Sequence, residues 1–270
     1  MIVGIDHVAL SCTDISAAIE RLSGEGFTPV FVEKSLQNHP AKKPFLTHYS
    51  ETHAIAYMRA PAGVAIELTC HSSTVASAAE HAGYQVLLGA TLKSSTAAEA
   101  DAVSTFWSRQ RQSKLKRAVW APFDTSVCVE EGADCRIKAV LLETSQLDAS
   151  VRFWTEGLGF KASASGNVDG RRWSGLKFIS PVPAFNLDLV LVEASGAANT
   201  SQLDRAGFPC VALLSNNLAA DLEKPALKTH PAESFSLSVN GKFLNIALLR
   251  GPSGEIVELI EPERKKGVPA

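Results

Sequence analysis

IAYMRAPAGVAIEL, residues 55–68, returns near the other end of the chain as IALLRGPSGEIVEL, residues 246–259. The two copies align without a gap and agree at seven of fourteen positions: Ile, Ala, Arg, Pro, Gly, Glu and Leu. Each reads as strand, tight turn, strand, because Pro presets φ and Gly supplies φ > 0 between two apolar runs. The second strand of each copy alternates. Ala65, Glu67 and Thr69 point one way and Ile66 and Leu68 the other, and Ile256, Glu258 and Ile260 stand likewise against Val257 and Leu259. A carboxylate among apolar neighbours is costly to desolvate and needs a partner. Glu67 and Glu258 are therefore the first residues to question, each expected to face the concave side of its own sheet.

Working outward, the other elements fall into the same order. GIDHVALSC (4–12) alternates as a strand, with His7, Ala9 and Ser11 on one face and Val8 and Leu10 on the other. Thr13 and Asp14 offer capping oxygens to a helix whose stripe is Ile15, Ala18, Ile19 and Leu22. Gly24 and Gly26 end it, and TPVFVE follows as a strand, so the first seventy residues read β-α-β-β-β. A third unit from Ile137 repeats that order through IKAVLLET, a helix over 147–154, RRWSGLKFIS and NLDLVLVEA. A fourth runs from Phe208 to the second hairpin. Between them, 84–131 has the element order but not the hairpin: QVLLGATL as strand, 96–110 as helix, then AVWAP and SVCVEE as short strands. Segments 71–83 and 195–206 read as connections. The chain is expected to be α+β, with four βαβββ-type half-modules paired in order into two domains, 1–131 and 136–265.

Composition excludes several classes of function. With 46% hydrophobic and 20% charged residues the chain can bury a core. A net charge of −2 argues against nucleic acid or an anionic membrane as partner. No apolar run reaches the roughly 18 residues of a membrane span. The N-terminal MIVGIDHVALSC lacks a basic n-region, so a cytoplasmic location is expected. Cys12, Cys70, Cys128, Cys135 and Cys210 are odd in number and form no CxxC, which suits reduced thiols. Neither GxSxG, HExxH, a P-loop nor a dinucleotide fingerprint is present.

The openings DHVALSCTD and FWTEGLGFK and the endings APAGVAIEL and GPSGEIVEL together resemble the vicinal oxygen chelate superfamily, the group of glyoxalases, bleomycin-resistance proteins and extradiol dioxygenases. The resemblance is clear in three of the four half-modules and rests on element order in the second. It implies glyoxalase-like domains whose curled mixed sheets surround clefts. In metal-dependent members a first-strand His or Gln and a last-strand Glu bind a divalent ion, leaving open positions for substrate oxygens.

Carried over position by position, the first half-module supplies His7 and Glu67, both of the expected type. The second supplies Leu88 and an uncertainly aligned Glu130, the third Ala139 and Val190, and the fourth Cys210 and Glu258. His7 and Glu67 are thus the candidate metal ligands, with Glu67 also the candidate catalytic ligand or base. A third ligand would come from Glu130, His48, His53, His71 or another subunit, which leaves a homodimer open. The C-terminal domain is expected to hold no catalytic metal. Proton competition at the imidazole is expected below about pH 6.

Two functions stand side by side. One is an enzyme dependent on Fe, Mn, Zn or Ni that acts on a small α-keto or enolisable molecule. The other is a metal-free protein of the bleomycin-resistance type that sequesters a small ligand in an apolar cleft, where His7 and Glu67 merely pair. Trp120, Phe153 and Trp154 read as core, Arg59 and Arg250 as partners of the turns, and His81 and His230 as solvated. The basic run Arg109, Arg111, Lys114, Lys116 and Arg117 reads as a solvated helix end.

Overall fold

The computed structural model describes residues 1–60, 62–74, 83–89, 96–97, 116–120, 125–130, 136–182, 185–194 and 200–263. The sequence readings for 98–115, His81 and Cys135 lie outside them, as do those for the side chains of Leu88, Trp120, Cys128 and Glu130. Strands dominate a mixed α+β architecture. In chain order the first elements are β1 (Ile2–Ser11), α1 (Ile15–Gly24), β2 (Thr28–Gln37), β3 (Thr52–Arg59) and β4 (Ala65–His71), with a 3₁₀ turn at Pro40–Phe45. Next come β5 (Gln85–Gly89), β6 (Thr96–Ala97), β7 (Lys116–Trp120) and β8 (Thr125–Glu130). A third group is β9 (Arg136–Thr144), α2 (Leu147–Arg152), β10 (Lys161–Val168), β11 (Arg171–Phe178) and β12 (Leu187–Glu193). The last is β13 (Gly207–Ser215), α3 (Leu218–Leu222), α4 (Pro225–Lys228), β14 (Ala232–Val239), β15 (Lys242–Arg250) and β16 (Ile256–Pro262). Where the sequence pattern predicts a helix over 96–110, its first two residues are a strand.

Local chemistry explains the repeated elements. Asp14 caps α1 by accepting from the backbone N–H groups of Ser16 and Ala17 at 2.9 and 3.0 Å. Ala18 and Leu22 are its fully buried stripe. The two hairpin turns hold their glycines at nearly the same positive angle, φ 83° at Gly63 and 82° at Gly254, which an L side chain adopts only with strain. Arg250 ties the second turn by donating to the carbonyls of Gly254, Ser201 and Pro44, and lies over the Phe45 ring. Its counterpart Arg59 is exposed and borders a cleft instead of binding its turn.

Strand pairing departs from the order of the chain. One eight-stranded sheet runs β14-β15-β16-β13-β1-β4-β3-β2, and the other β10-β11-β12-β9-β5-β8-β7-β6. The first unit therefore joins the last, and the two middle units join each other, across the boundary at 131–136 that pairing in order would draw. The seam of the first sheet is β1 against β13, antiparallel, with His7 opposite Ala212 and Ala9 opposite Cys210. The seam of the second is β5 against β9. Which unit meets which is set by these long-range edges, on which local periodicity is silent.

The sheets share one apolar core. Val8, Leu10, Ile66, Val257 and Leu259 from the first meet Val140, Leu142, Leu189 and Leu191 from the second. Polar contacts cross as well: Tyr84 donates from its hydroxyl to the Ile256 carbonyl at 3.0 Å, and Gln146 to the Pro252 carbonyl at 2.9 Å. Trp154 lies at the junction, wholly buried, edge-on to Tyr84, Phe153 and Phe160. Trp154→Ala should cost about 3–5 kcal/mol, the usual range for removing a buried aromatic side chain. In a chain this long that lowers the thermal midpoint by on the order of 10 °C, measurable by a melt of the purified variant.

Candidate metal centre

The strands with the repeated carboxylates converge on one histidine. Glu67 on β4 lies opposite Ala9 of β1, and Glu258 on β16 lies opposite Ala212 of β13. Because His7 is itself opposite Ala212 across the seam, both carboxylates reach it. His7 Nε2 is 3.6 Å from Glu67 Oε1 and 3.7 Å from Glu258 Oε2. The three ligand atoms all lie within 4.8 Å of one another. His7 Nδ1 is 2.8 Å from Asp6 Oδ2, an orientation that turns Nε2 toward the carboxylates. Tyr57 packs edge-on against the imidazole and donates to the Asp6 carbonyl at 3.2 Å.

These spacings are too long for hydrogen bonds, whose donors and acceptors sit at about 2.7–3.2 Å. His7 Nε2 is accordingly buried with no hydrogen-bond partner. Burial alone would push His7 down, but Glu67 first, then Asp6 and Glu258, outweigh it and raise it to about 9. Burial and the neighbouring Glu67 raise Glu258 to about 7, against the pull of His7 and Lys42. A divalent ion with bonds of about 2.0–2.2 Å to imidazole and carboxylate, near tetrahedral, holds its donors about 3.4–3.6 Å apart. An orphaned imidazole nitrogen at nearly that distance from two carboxylates fits such an ion, and three protein donors leave positions open.

His7 and Glu67 come together as the sequence pattern leads one to expect. Among the described residues the third potential ligand beside them is Glu258, which lies in the same cluster and not apart from it, whereas the loop histidines do not join it. His48 is exposed, and its backbone N–H binds Asp204 at 2.8 Å. His53 and His71 stack on each other at 4.8 Å, outside the trio. Burial pushes them down to about 2 and about 4, with the Lys42 charge adding to each shift. Cys210, the counterpart of His7, packs among Ala9, Phe45, Phe235, Ile246 and Ile256, and burial raises its thiol, with Glu258 and Glu67 adding to the shift. His230, expected in solvent, packs against the Phe153 ring at 4.8 Å.

The second sheet repeats the register without the chemistry. Leu141 lies opposite Val190 as Ala9 lies opposite Glu67. Ala139 and Val190 join an apolar cluster with Leu87, Leu141 and Val192. Across that seam Leu141 faces Gln85, so Gln85 stands at the first-strand position that the sequence alignment gave to Leu88. Among the described residues, His7, Glu67 and Glu258 are the one such group of potential ligands.

The trio opens into a cleft of about 340 Å³. Its walls are largely apolar, with Phe31, Leu36, Ile55, Leu237, Leu244 and Ile246, while Lys42, Arg59 and Lys242 border it with positive charge. Lys42 lies 5.9 Å from the centre of the Phe235 ring.

No protein-family model and no curated protein matches the sequence. Solved structures do match. Glyoxalase I from Zea mays superposes with a TM-score of 0.55 at 16% identity, covering 96% of this chain and 92% of that one. Its V278E mutant gives 0.58 at 14% identity over the same shares. A Bacillus subtilis protein named for a proposed dioxygenase activity gives 0.59 at 11% identity, over 97% of this chain and 86% of that one. The chain has the vicinal oxygen chelate fold. No helix among the described residues is long and apolar enough to cross a membrane.

Proposed function

We propose that the chain is a divalent-metal-dependent enzyme acting on a small α-keto or enolisable molecule, built as four half-modules of which the first and last form the active site. The observation that carries this is the buried, unpartnered His7 Nε2 held between the carboxylates of Glu67 and Glu258. His7, Glu67 and Glu258 would hold Fe, Mn, Zn or Ni, an imidazole and two carboxylates being acceptable to each. When bound, the ion would supply Lewis-acid polarisation of a carbonyl or enolate oxygen. Glu67 serves as ligand and as the base for the proton on the adjacent carbon. Asp6 fixes the His7 ring, the apolar walls keep water from the reacting carbon, and Lys42, Arg59 and Lys242 receive an anionic end of the substrate. This mode of assembly also supports a catalytic role for the fold's shared cleft, in keeping with its glyoxalase I neighbours.

The test is metal analysis of protein purified without a His tag, followed by proton NMR of a 2-oxo acid panel in D₂O. Metal-loaded protein should exchange the α-proton at least a hundredfold faster than the metal-free form or Glu67→Gln. Failure to retain any divalent ion sinks the reading. The apolar walls alone favour a second function, capture of an amphipathic ligand without metal. In that case His7→Ala retains full ligand affinity.

A further inference from the structure

Away from the cleft, on the helix-covered face of the same sheet, two cysteines lie side by side. In the parallel pairing of β1 with β4, Ser11 is opposite Thr69. The next residue on each strand is a cysteine, and the Cys12 backbone N–H donates to the Thr69 carbonyl at 2.9 Å. The two thiols are free, and the Cys12 thiol donates to the same Thr69 carbonyl at 3.5 Å. They differ in access: Cys12 is buried, whereas Cys70 is half-buried. We propose that Cys70 and Cys12 are a peroxide-responsive modification site, in which Cys70 is oxidised first and Cys12 resolves it to a disulfide between the two strands that carry His7 and Glu67.

Three features assign the roles. Cys70 lies by the start of the ten-residue helix α1, where its thiol is brought down first by Cys12 and then by the Ile15 backbone N–H. Asp14 takes the Ser16 and Ala17 donors, so the Ile15 N–H is left for sulfur, and helix N-termini favour a thiolate. The adjacent Cys12 is the largest effect on Cys70 and, against burial and the Asp14 charge, helps to bring it down to about 7. The reverse effect, together with burial, raises Cys12, which stays protonated and donates to the Thr69 carbonyl. Strands pair about 4.8 Å apart, and Cα atoms about 4.4–6.8 Å apart can be bridged by a disulfide. Cys210 lacks all of this: it is buried among apolar side chains, and the nearby Glu258 and Glu67 carboxylates disfavour its thiolate.

The chemistry balances with hydrogen peroxide as oxidant. The Cys70 thiolate attacks one peroxide oxygen, the O–O bond breaks, and hydroxide leaves, giving Cys70 sulfenic acid. Cys12 loses its proton, attacks the sulfenic sulfur and expels hydroxide, forming the S–S bond. Two thiols give up two electrons, and one peroxide becomes two waters.

The experiment treats the reduced full-length protein with one equivalent of hydrogen peroxide and reads the product by intact mass and peptide mapping. A loss of two hydrogens, with Cys12 and Cys70 in one cross-linked peptide, is the expected result. Cys12→Ser should instead accumulate a sulfenic acid at Cys70 that dimedone traps, and Cys70→Ser should slow peroxide consumption at least tenfold. Alkylation of wild-type Cys70 by iodoacetamide, which needs no variant, should show a pH midpoint near 7. The proposal is overturned if peroxide leaves these two thiols unlinked, if dimedone labels another cysteine in Cys12→Ser, or if Cys70 alkylates with the midpoint of an unperturbed thiol. None of these readouts depends on a metal or on catalysis.

Discussion

Glu258→Ala should lower divalent-metal affinity at least a hundredfold, or about 2.7 kcal/mol, as much as His7→Ala does, although the two residues lie at opposite ends of the chain. The expectation follows from geometry: Glu258 Oε2 is as close to His7 Nε2 as Glu67 Oε1 is, 3.7 against 3.6 Å. Removing one of three protein donors loses a whole ligand bond, whereas a change in an orienting partner costs only tenfold to a hundredfold. The metal-free variant should be no less stable than the metal-free wild type. Its buried carboxylate is held partly neutral by burial and by Glu67, so taking it away removes a desolvation cost and no hydrogen bond. Titration calorimetry with Mn²⁺ and Zn²⁺ on tag-free protein, with thermal melts in excess chelator, checks both parts. His48→Ala is the control, because that exposed side chain is remote from the trio, and it should change affinity less than twofold. Equal metal affinity in wild type and Glu258→Ala would remove Glu258 from the centre.

Metal affinity should fall about a thousandfold between pH 8 and pH 6. Both His7 and Glu258 must be unprotonated to bind an ion, so each proton they hold is displaced by the metal. His7 keeps its proton up to about pH 9 and Glu258 up to about pH 7. From pH 9 down to 7 one proton competes, tenfold per unit, and below 7 two compete, up to a hundredfold per unit. The affinity is therefore greatest in alkali and is lost as pH falls. An isolated imidazole would start to compete only below about pH 6. The carboxylates around His7 move the transition upward by more than two pH units. Calorimetry in buffers of different ionisation enthalpy counts the protons released: about one at pH 8 and nearer two at pH 6.5. An affinity independent of pH above 7 would show that the imidazole is not the ligand.

Much of this was legible in the sequence, and what was not has a definite cause. The hairpin glycines, the Asp14 cap and the alternation that puts His7 and Glu67 on one face are all local, set by neighbours a few residues away. Ala139 and Val190, read as inert positions, do lie in an apolar cluster. The pairing of first unit with last was not legible, because β1 and β13 meet through edges 200 residues apart that carry no local mark. That Glu258 would lie beside His7 was not legible for the same reason. Yet the clue lay in the repeat itself: two hairpins that match at the same Glu are suited to facing each other across a two-fold seam. Gln85 was missed through a slip of three residues along a weakly patterned strand with an irregular register beside it.

The seam between β1 and β13 has a consequence for synthesis. A ribosome delivers Glu258 about 250 residues after His7, and everything in between must emerge before the sheet can close. Until then β1 has an open edge beside the nascent middle units, and the proposed metal ion would find only two of its three ligands. On the proposed reading, ion capture reports that β16 has been made: a chain stalled or cut before it would not be rescued by metal. A chain that carries all three would gain stability by mass action, about 2.7 kcal/mol when free ion is a hundred times its dissociation constant. Quality control by metal supply would thus act on the whole polypeptide and not on its N-terminal half.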